Sequence, residues 1–307
     1  MGKDSNVAIY ASIAANVAIA ATKLTAAAVT GSSAMVAEGV HSLVDCADGG
    51  LLLLGQRRSR RPPDAAHQFG HGRELYFWTL IVAVLFFALG GGVSVYEGVQ
   101  HIRRPELIRD PFWNYVVLGA ATVFDGASFL IGFRQLRARA GGRGLWTMVR
   151  ESKDPTLFTV VLEDIADLTG LGLAFLGVYF GHRLGNPYLD GLASIGVGLV
   201  LAGVAVVLVV QSRGLLVGDG ADPATVRAIE AAAAEVPEVA RVRGVRTIHL
   251  APHEIVVVLD VGFERGLTID GIRRGAIALD RHVREASGDV RHVYIDIGAL
   301  GGARSDE

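Results

Sequence analysis

The stretch Met35-Val-Ala-Glu-Gly-Val-His41-Ser-Leu-Val-Asp45-Cys-Ala-Asp-Gly-Gly-Leu-Leu-Leu-Leu54 sets an imidazole and a carboxylate one helical turn apart, in an apolar run that contains no Lys or Arg. A helix this apolar belongs in lipid, where an ionisable side chain costs several kcal/mol unless something pairs with it or binds to it. An imidazole and a carboxylate on one helix face are also the first half of a transition-metal site. The two facts together imply a membrane protein that handles a divalent metal.

The rest of the chain agrees with a membrane setting. Of its 307 residues, 51% are hydrophobic, and the mean hydropathy is +0.40, outside the range of ordinary soluble domains. Net charge is −2, so no nucleic-acid partner is expected. Cys46 is the one cysteine, which excludes a disulfide framework and a thiolate-rich metal centre. The N-terminus shows no signal-peptide cleavage pattern, and its first apolar stretch is long enough to remain as a span.

Six stretches reach the length of about 20 residues that crosses a bilayer core: 7–30, 34–54, 75–99, 112–133, 155–180 and 187–210. The run Arg57-Arg-Ser-Arg-Arg61 follows the second, and Arg134, Arg137, Arg139, Arg143, Arg150 and Lys153 follow the fourth. The opposite loops hold only Arg103, Arg104 and Arg109, and Arg183. The positive-inside rule then puts both termini in the cytoplasm, with the 57–61 run at the anionic headgroups. The expected architecture is a membrane all-α six-helix transmembrane domain, 1–212, followed by a cytosolic α+β domain, 213–307. The second domain reads as a capped helix at 222–236, strands at 242–250 and 254–263, a helix at 268–286 and a strand at 290–297, after a linker at 214–222. A unit of about 90 residues buries a modest core, so dimerisation would help its stability.

The block His67-Gln-Phe-Gly-His71-Gly-Arg-Glu74, following the helix with His41-Ser-Leu-Val-Asp45, resembles the cation diffusion facilitator family of zinc and manganese exporters. Glu151-Ser-Lys-Asp-Pro155 and Leu162-Glu-Asp164 look like the branch that contains the mitochondrial zinc transporter nine. The resemblance covers nearly the whole chain and implies six membrane helices, a ferredoxin-like cytosolic dimerisation domain and a homodimer. It also implies a transport site shared by the second and fifth helices, to which His41 and Asp45 contribute. On the fifth helix the chain departs from the family pattern, because Thr156 and Val160 stand where other members place His or Asp and a following Asp. Glu163, Asp164 and Asp167 lie close by on a broad face with Val160. The expected ligand set is His41, Asp45, Glu163 and Asp164, with Asp167 in reserve.

One nitrogen and three carboxylates suit Zn2+ and do not exclude Mn2+, Fe2+ or Co2+. Protons compete for every such ligand. The expected function is therefore divalent metal efflux, zinc first, by metal/proton antiport with alternating access. No enzymatic reaction is implied. The expected location is the inner membrane of a bacterial cell.

Other polar residues admit plainer readings. Asp48 is a partner to the ligands or a helix-packing residue. Asp125 is a proton relay or an interhelical contact, Glu97 a solvated residue at a membrane edge, and Lys23 one half of a salt bridge with an acid on another helix. His67 and His71 serve either the admission of metal from the cytoplasm or the structure of their loop. In the tail, Asp260, Arg273 and Asp296 occupy positions where the family commonly has histidines. His249, His253, His282 and His292 show no close ligand spacing, so no tail metal site is expected. Two rival functions are a metal sensor that does not transport, against which the number of intramembrane acids counts, and an organic-cation transporter. The latter would need an aromatic cage, and the second and fifth spans are almost free of Trp and Tyr.

Overall fold

The computed structural model describes residues 3–105, 111–140 and 155–297. Arg109, Arg143, Arg150, Lys153 and the stretch 151–154 lie outside the described residues, as do the side chains of Arg137, Arg139 and Thr156. The chain divides into two compact units, Met1–Arg58 with Glu74–Arg213, and Ser59–Arg73 with Gly214–Glu307.

The first unit is helical. α1 (Lys3–Thr30) contains no Gly or Pro and stops at Gly31, whose φ of 75° is a left-handed conformation that glycine adopts without strain. The Gly31 N–H closes on the Ala27 carbonyl at 2.8 Å. α2 (Ser33–Ser59) begins two residues later. Its first N–H groups are met by another helix: Asp190 accepts from the Ser33 N–H at 2.6 Å and the Ala34 N–H at 3.4 Å, and from the Ser32 and Ser33 hydroxyls at 2.6 and 2.9 Å. A carboxylate there complements the helix dipole.

α3 (Glu74–Leu85) runs through a π turn (Phe86–Gly91) into α4 (Gly92–Arg103). α5 (Phe112–Ala140), α6 (Pro155–Leu184) and α7 (Tyr188–Val217) complete the unit. The runs Glu74–Arg103 and Tyr188–Val217 are long and apolar enough to cross a membrane. α2 and α6, at 27 and 30 residues, have the length but carry several acids.

A glycine seam joins the end of the π turn and α4 to α7. Gly91 and Gly98 face Gly198 and Gly191 so closely that a Cβ on Gly98 would lie 2.6 Å from the Gly191 carbonyl oxygen. One on Gly198 would lie 2.8 Å from that of Gly91. Small residues at seven-residue spacing allow this approach, which dispersion and interhelical hydrogen bonds then stabilise. The Ser194 hydroxyl donates across it to the Ser94 carbonyl at 2.8 Å.

Helix ends differ from the sequence expectation. α7 continues to Val217, so the expected linker at 214–222 shrinks. The helix ends where Gly218 takes φ 117° and the N–H groups of Gly218 and Asp219 both bond the Gly214 carbonyl. The π turn in the third run was not expected, since hydrophobic periodicity does not register a single wide turn.

The second unit is a small α/β domain in the order α8 (Pro223–Ala234), β1 (Val239–Ala251), β2 (Glu254–Phe263), α9 (Ile269–Ala286) and β3 (Val290–Asp296). Asp222 caps α8, accepting from the Ala224 and Thr225 N–H groups, with Pro223 in the first turn. The sheet order is β1-β2-β3. β1 and β2 are antiparallel with Val245 opposite Leu259, and β2 and β3 are parallel with Val257 opposite Val293. Ile229, Ala233, Val257, Leu259, Val261, Leu279 and Val283 form its core. The segment 59–73 belongs to this unit: Phe69 meets the His292 ring edge-on at 5.4 Å, and Gly72 approaches the Leu250 carbonyl too closely for a Cβ.

Candidate metal centre

Helical spacing of three and four puts Glu38, His41, Asp45 and Asp48 on one face of α2, and Glu163, Asp167 and Gly170 on one face of α6. The His41 ring stands between two carboxylates. Its Nδ1 lies 3.5 Å from Asp45 Oδ1, and its Nε2 is in short contact with Asp167 Oδ1. One ligand atom from each of the three residues lies within 4.8 Å of the others. With metal bonds of about 2 Å, one ion can gather all three after small side-chain rotations.

The surroundings hold the imidazole still. His41 is fully buried, and Phe86, at the start of the π turn, meets its ring edge-on at 5.1 Å. Ala37, Val44, Ala166, Val197 and Leu201 pack in the same apolar cluster as Phe86. Asp45 and Asp167 keep 17% and 15% of their side chains exposed, while the Oδ1 atoms that face the imidazole are buried.

Glu163 and Asp48 extend the acidic face by a turn. Asp48, Asp45 and Asp167 all lie within electrostatic reach of the Glu163 carboxylate, whose Oε1 is buried without a hydrogen-bond partner. Asp48 is fully buried with neither oxygen hydrogen-bonded. Buried carboxylates with this much unused acceptor capacity await a proton or a cation.

The structure thus brings His41 and Asp45 together as their spacing suggested, and it brings Asp167, held in reserve, against His41. Asp164 is buried on α6 but stands outside the triad. Around the helix Asp164 lies about 60° from Asp167, on the side away from Glu163. Lys23 is buried and pairs with Glu38 at 3.1 Å, a salt bridge to another helix. Asp125 on α5 is half-buried, within electrostatic reach of Asp167 and Lys23. Sequence reasoning missed Glu38, although its position three residues before His41 was a usable signal.

A second group sits in the 59–73 segment, where Asp64, His67 and His71 also bring ligand atoms within 4.8 Å of one another. Asp64 Oδ1 accepts the N–H groups of Ala66 and His67 at 2.9 and 2.7 Å, and Oδ2 lies 3.0 Å from His71 Nε2. The His67 N–H first, and then the His71 ring, hold the Asp64 carboxyl down to about 2. Sequence reasoning named both histidines and passed over Asp64. In the α/β unit, His253 pairs with Asp289 at 3.2 Å and His292 with Glu254 at 3.4 Å.

Comparison with known proteins finds a family model and several relatives. A family model described as the cation efflux transmembrane domain matches residues 9–217. The human mitochondrial proton-coupled zinc antiporter SLC30A9 is 33% identical over 237 residues, 76% of this chain and 42% of that protein. Metal tolerance protein C4 of Arabidopsis thaliana is 35% identical over 193 residues, 62% of this chain and 42% of that protein. Magnetosome protein MamM of Magnetospirillum gryphiswaldense is 30% identical over 223 residues, 72% of this chain and 64% of that protein. The chain spans less than half the length of the first two of these relatives.

Proposed function

The chain belongs to the cation efflux family of integral membrane transporters, and from that premise we propose that it exports a divalent metal cation, zinc first, in exchange for protons. The observation that carries the reading is the His41 imidazole set between Asp45 of its own helix and Asp167 of α6. The proposed ligands are His41, Asp45 and Asp167, with Glu163 as the fourth, and Asp164 is left out of the set. One nitrogen and three carboxylate oxygens suit tetrahedral zinc and also admit manganese, iron or cobalt.

The geometry supplies the coupling. Both ring nitrogens of His41 face carboxylate oxygens, so protons bound by the imidazole and the two carboxylates compete with a metal for the same atoms. A cation that takes Nε2 and the two carboxylates must displace those protons, and protons arriving from the other side displace the cation. Rocking of α2 and α6 against the other helices would present the group to each side in turn. The α4–α7 glycine seam suits the stationary partner in such a motion.

In this reading 1–212 is a six-span transport domain and 213–307 a cytosolic, ferredoxin-like dimerisation domain of a homodimer. Both termini are cytoplasmic, and the membrane is a bacterial inner membrane. The Asp64, His67 and His71 group takes up metal on the cytoplasmic face. The test is zinc uptake into proteoliposomes driven by a pH gradient, for the intact chain and for Asp45→Ala. Uptake that collapses when the gradient is dissipated and is absent in Asp45→Ala supports the reading, and equal uptake by both proteins refutes it.

A further inference from the structure

One turn from the triad, toward the Gly31 turn, a second charged group is buried. Lys23, on α1, is 1% exposed. It lies seven residues before the end of its helix, about 10 Å along the axis. Its ammonium points into the bundle, donating to Glu38 Oε2 at 3.1 Å and to the Ser42 hydroxyl at 2.9 Å. Glu38 is fully buried, and its other oxygen, Oε1, has no hydrogen-bond partner. That oxygen rests on Gly170, where a Cβ would come within 2.5 Å of it. Gly170 lies three residues after Asp167, as Glu38 lies three before His41.

Glu38 therefore stands on the same α2–α6 face as the triad, with one oxygen free and the other held by an ammonium. The Lys23 charge also reaches Asp167 and Asp125. If the ammonium were removed, Glu38 and the Ser42 hydroxyl would present oxygen donors suited to a divalent cation, next to the acids that bind the cargo. Bracing alone does not require a cation here, because two apolar residues of similar volume hold helices together as well as a buried ion pair or better.

We propose that Lys23 is a tethered cation that fills, at Glu38, a second cation position between α1, α2 and α6, and so limits the transport site to one divalent ion. The inference rests on the ligand reading above. Lys23 acts through Glu38 and makes no contact with the cargo, so it is a positioning residue that sets stoichiometry.

The test is equilibrium zinc binding to the full chain in lipid nanodiscs, counted by calorimetry in a His71→Ala background that silences the 59–73 group. Lys23→Met, and Lys23→Gln, which keeps a donor without the charge, should each bind one more zinc per chain than the parent. Lys23→Met with Glu38→Gln should return to the parent number. Glu38→Gln alone should keep the parent number but bind zinc at least tenfold more weakly, because the ammonium then acts unneutralised on Asp167. A brace would change stability and leave these counts alone.

The proposal is overturned if folded Lys23→Met or Lys23→Gln binds no extra zinc, or if the extra zinc survives Glu38→Gln. Should neither lysine variant fold, unchanged zinc affinity in Glu38→Gln overturns it. Asp45→Ala separates the two readings. If it leaves the zinc count unchanged, the ligand assignment fails. If it removes one zinc while Lys23→Met adds none, only the Lys23 inference fails.

Discussion

Asp167→Asn, compared with Asp164→Asn, probes the centre most sharply, because the two residues are three apart on one helix and Asp167 lies against His41. Asparagine keeps the shape and one oxygen donor and removes the charge. A unit charge 4 Å from another is worth about 4 kcal/mol at an effective dielectric of 20, hence about 8 kcal/mol beside a dication. The same substitution relieves repulsion between Asp167 and Asp45, whose ligand oxygens lie within 4.8 Å, a return of about 3.5 kcal/mol on the same scale. The net loss is about 3 to 5 kcal/mol of zinc binding, a fall in affinity of at least about a hundredfold. Calorimetric titration of zinc into the purified full chain in the His71→Ala background reads it directly. Asp164→Asn should stay within about threefold of the parent, below about 0.7 kcal/mol. Parent-like affinity in Asp167→Asn, or an equal loss in Asp164→Asn, would refute the assignment.

Other outcomes follow from the packing and from the 59–73 segment. Gly198→Ala forces a methyl within 2.8 Å of the Gly91 carbonyl, which neither helix backbone can yield; it should cost about 1–3 kcal/mol and lower the thermal midpoint in detergent. Phe86→Ala opens a cavity beside His41 and should cost about 3–5 kcal/mol by the same measurement. Gly170→Ala drives a methyl into Glu38 Oε1, and should weaken zinc binding more than the same change at Gly172, where a Cβ meets nothing within 4 Å. Asp64 is held down to about 2, below its ordinary value near 3.9. Because the folded value is depressed, the order that Asp64 gives its turn is full above about pH 4 and lost as pH falls through about 2. The His67 amide shift, followed by NMR in that window, checks it. A midpoint at the ordinary value would show that the turn is not formed.

Much of this molecule can be read without coordinates, and the parts that cannot share a physical cause. His41 and Asp45 stand out because ionisable residues are rare in an apolar helix and a spacing of four fixes them on one face. Capping by Asp222 and Pro223, and alternation through Val257, Leu259 and Val261, likewise mark the α/β unit. Spacing within one helix does not show how far that helix is turned about its own axis. Asp164 and Asp167 were separable only once α6 was seen against α2. Lys23 could be paired in principle, but choosing Glu38 required knowing that α1 lies against α2 at that height. The π turn and the glycine seam are products of packing between distant segments, and Gly91, Gly98, Gly191 and Gly198 taken singly read as ordinary glycines of membrane helices.

The proposed exchange requires one cation between α2 and α6. Anomalous scattering at the zinc edge, from the full chain crystallised with zinc, tests it most directly. A peak is expected about 2 Å from His41 Nε2 and from carboxylate oxygens of Asp45 and Asp167. A zinc peak at Asp64, His67 and His71 with none between the two helices would contradict it.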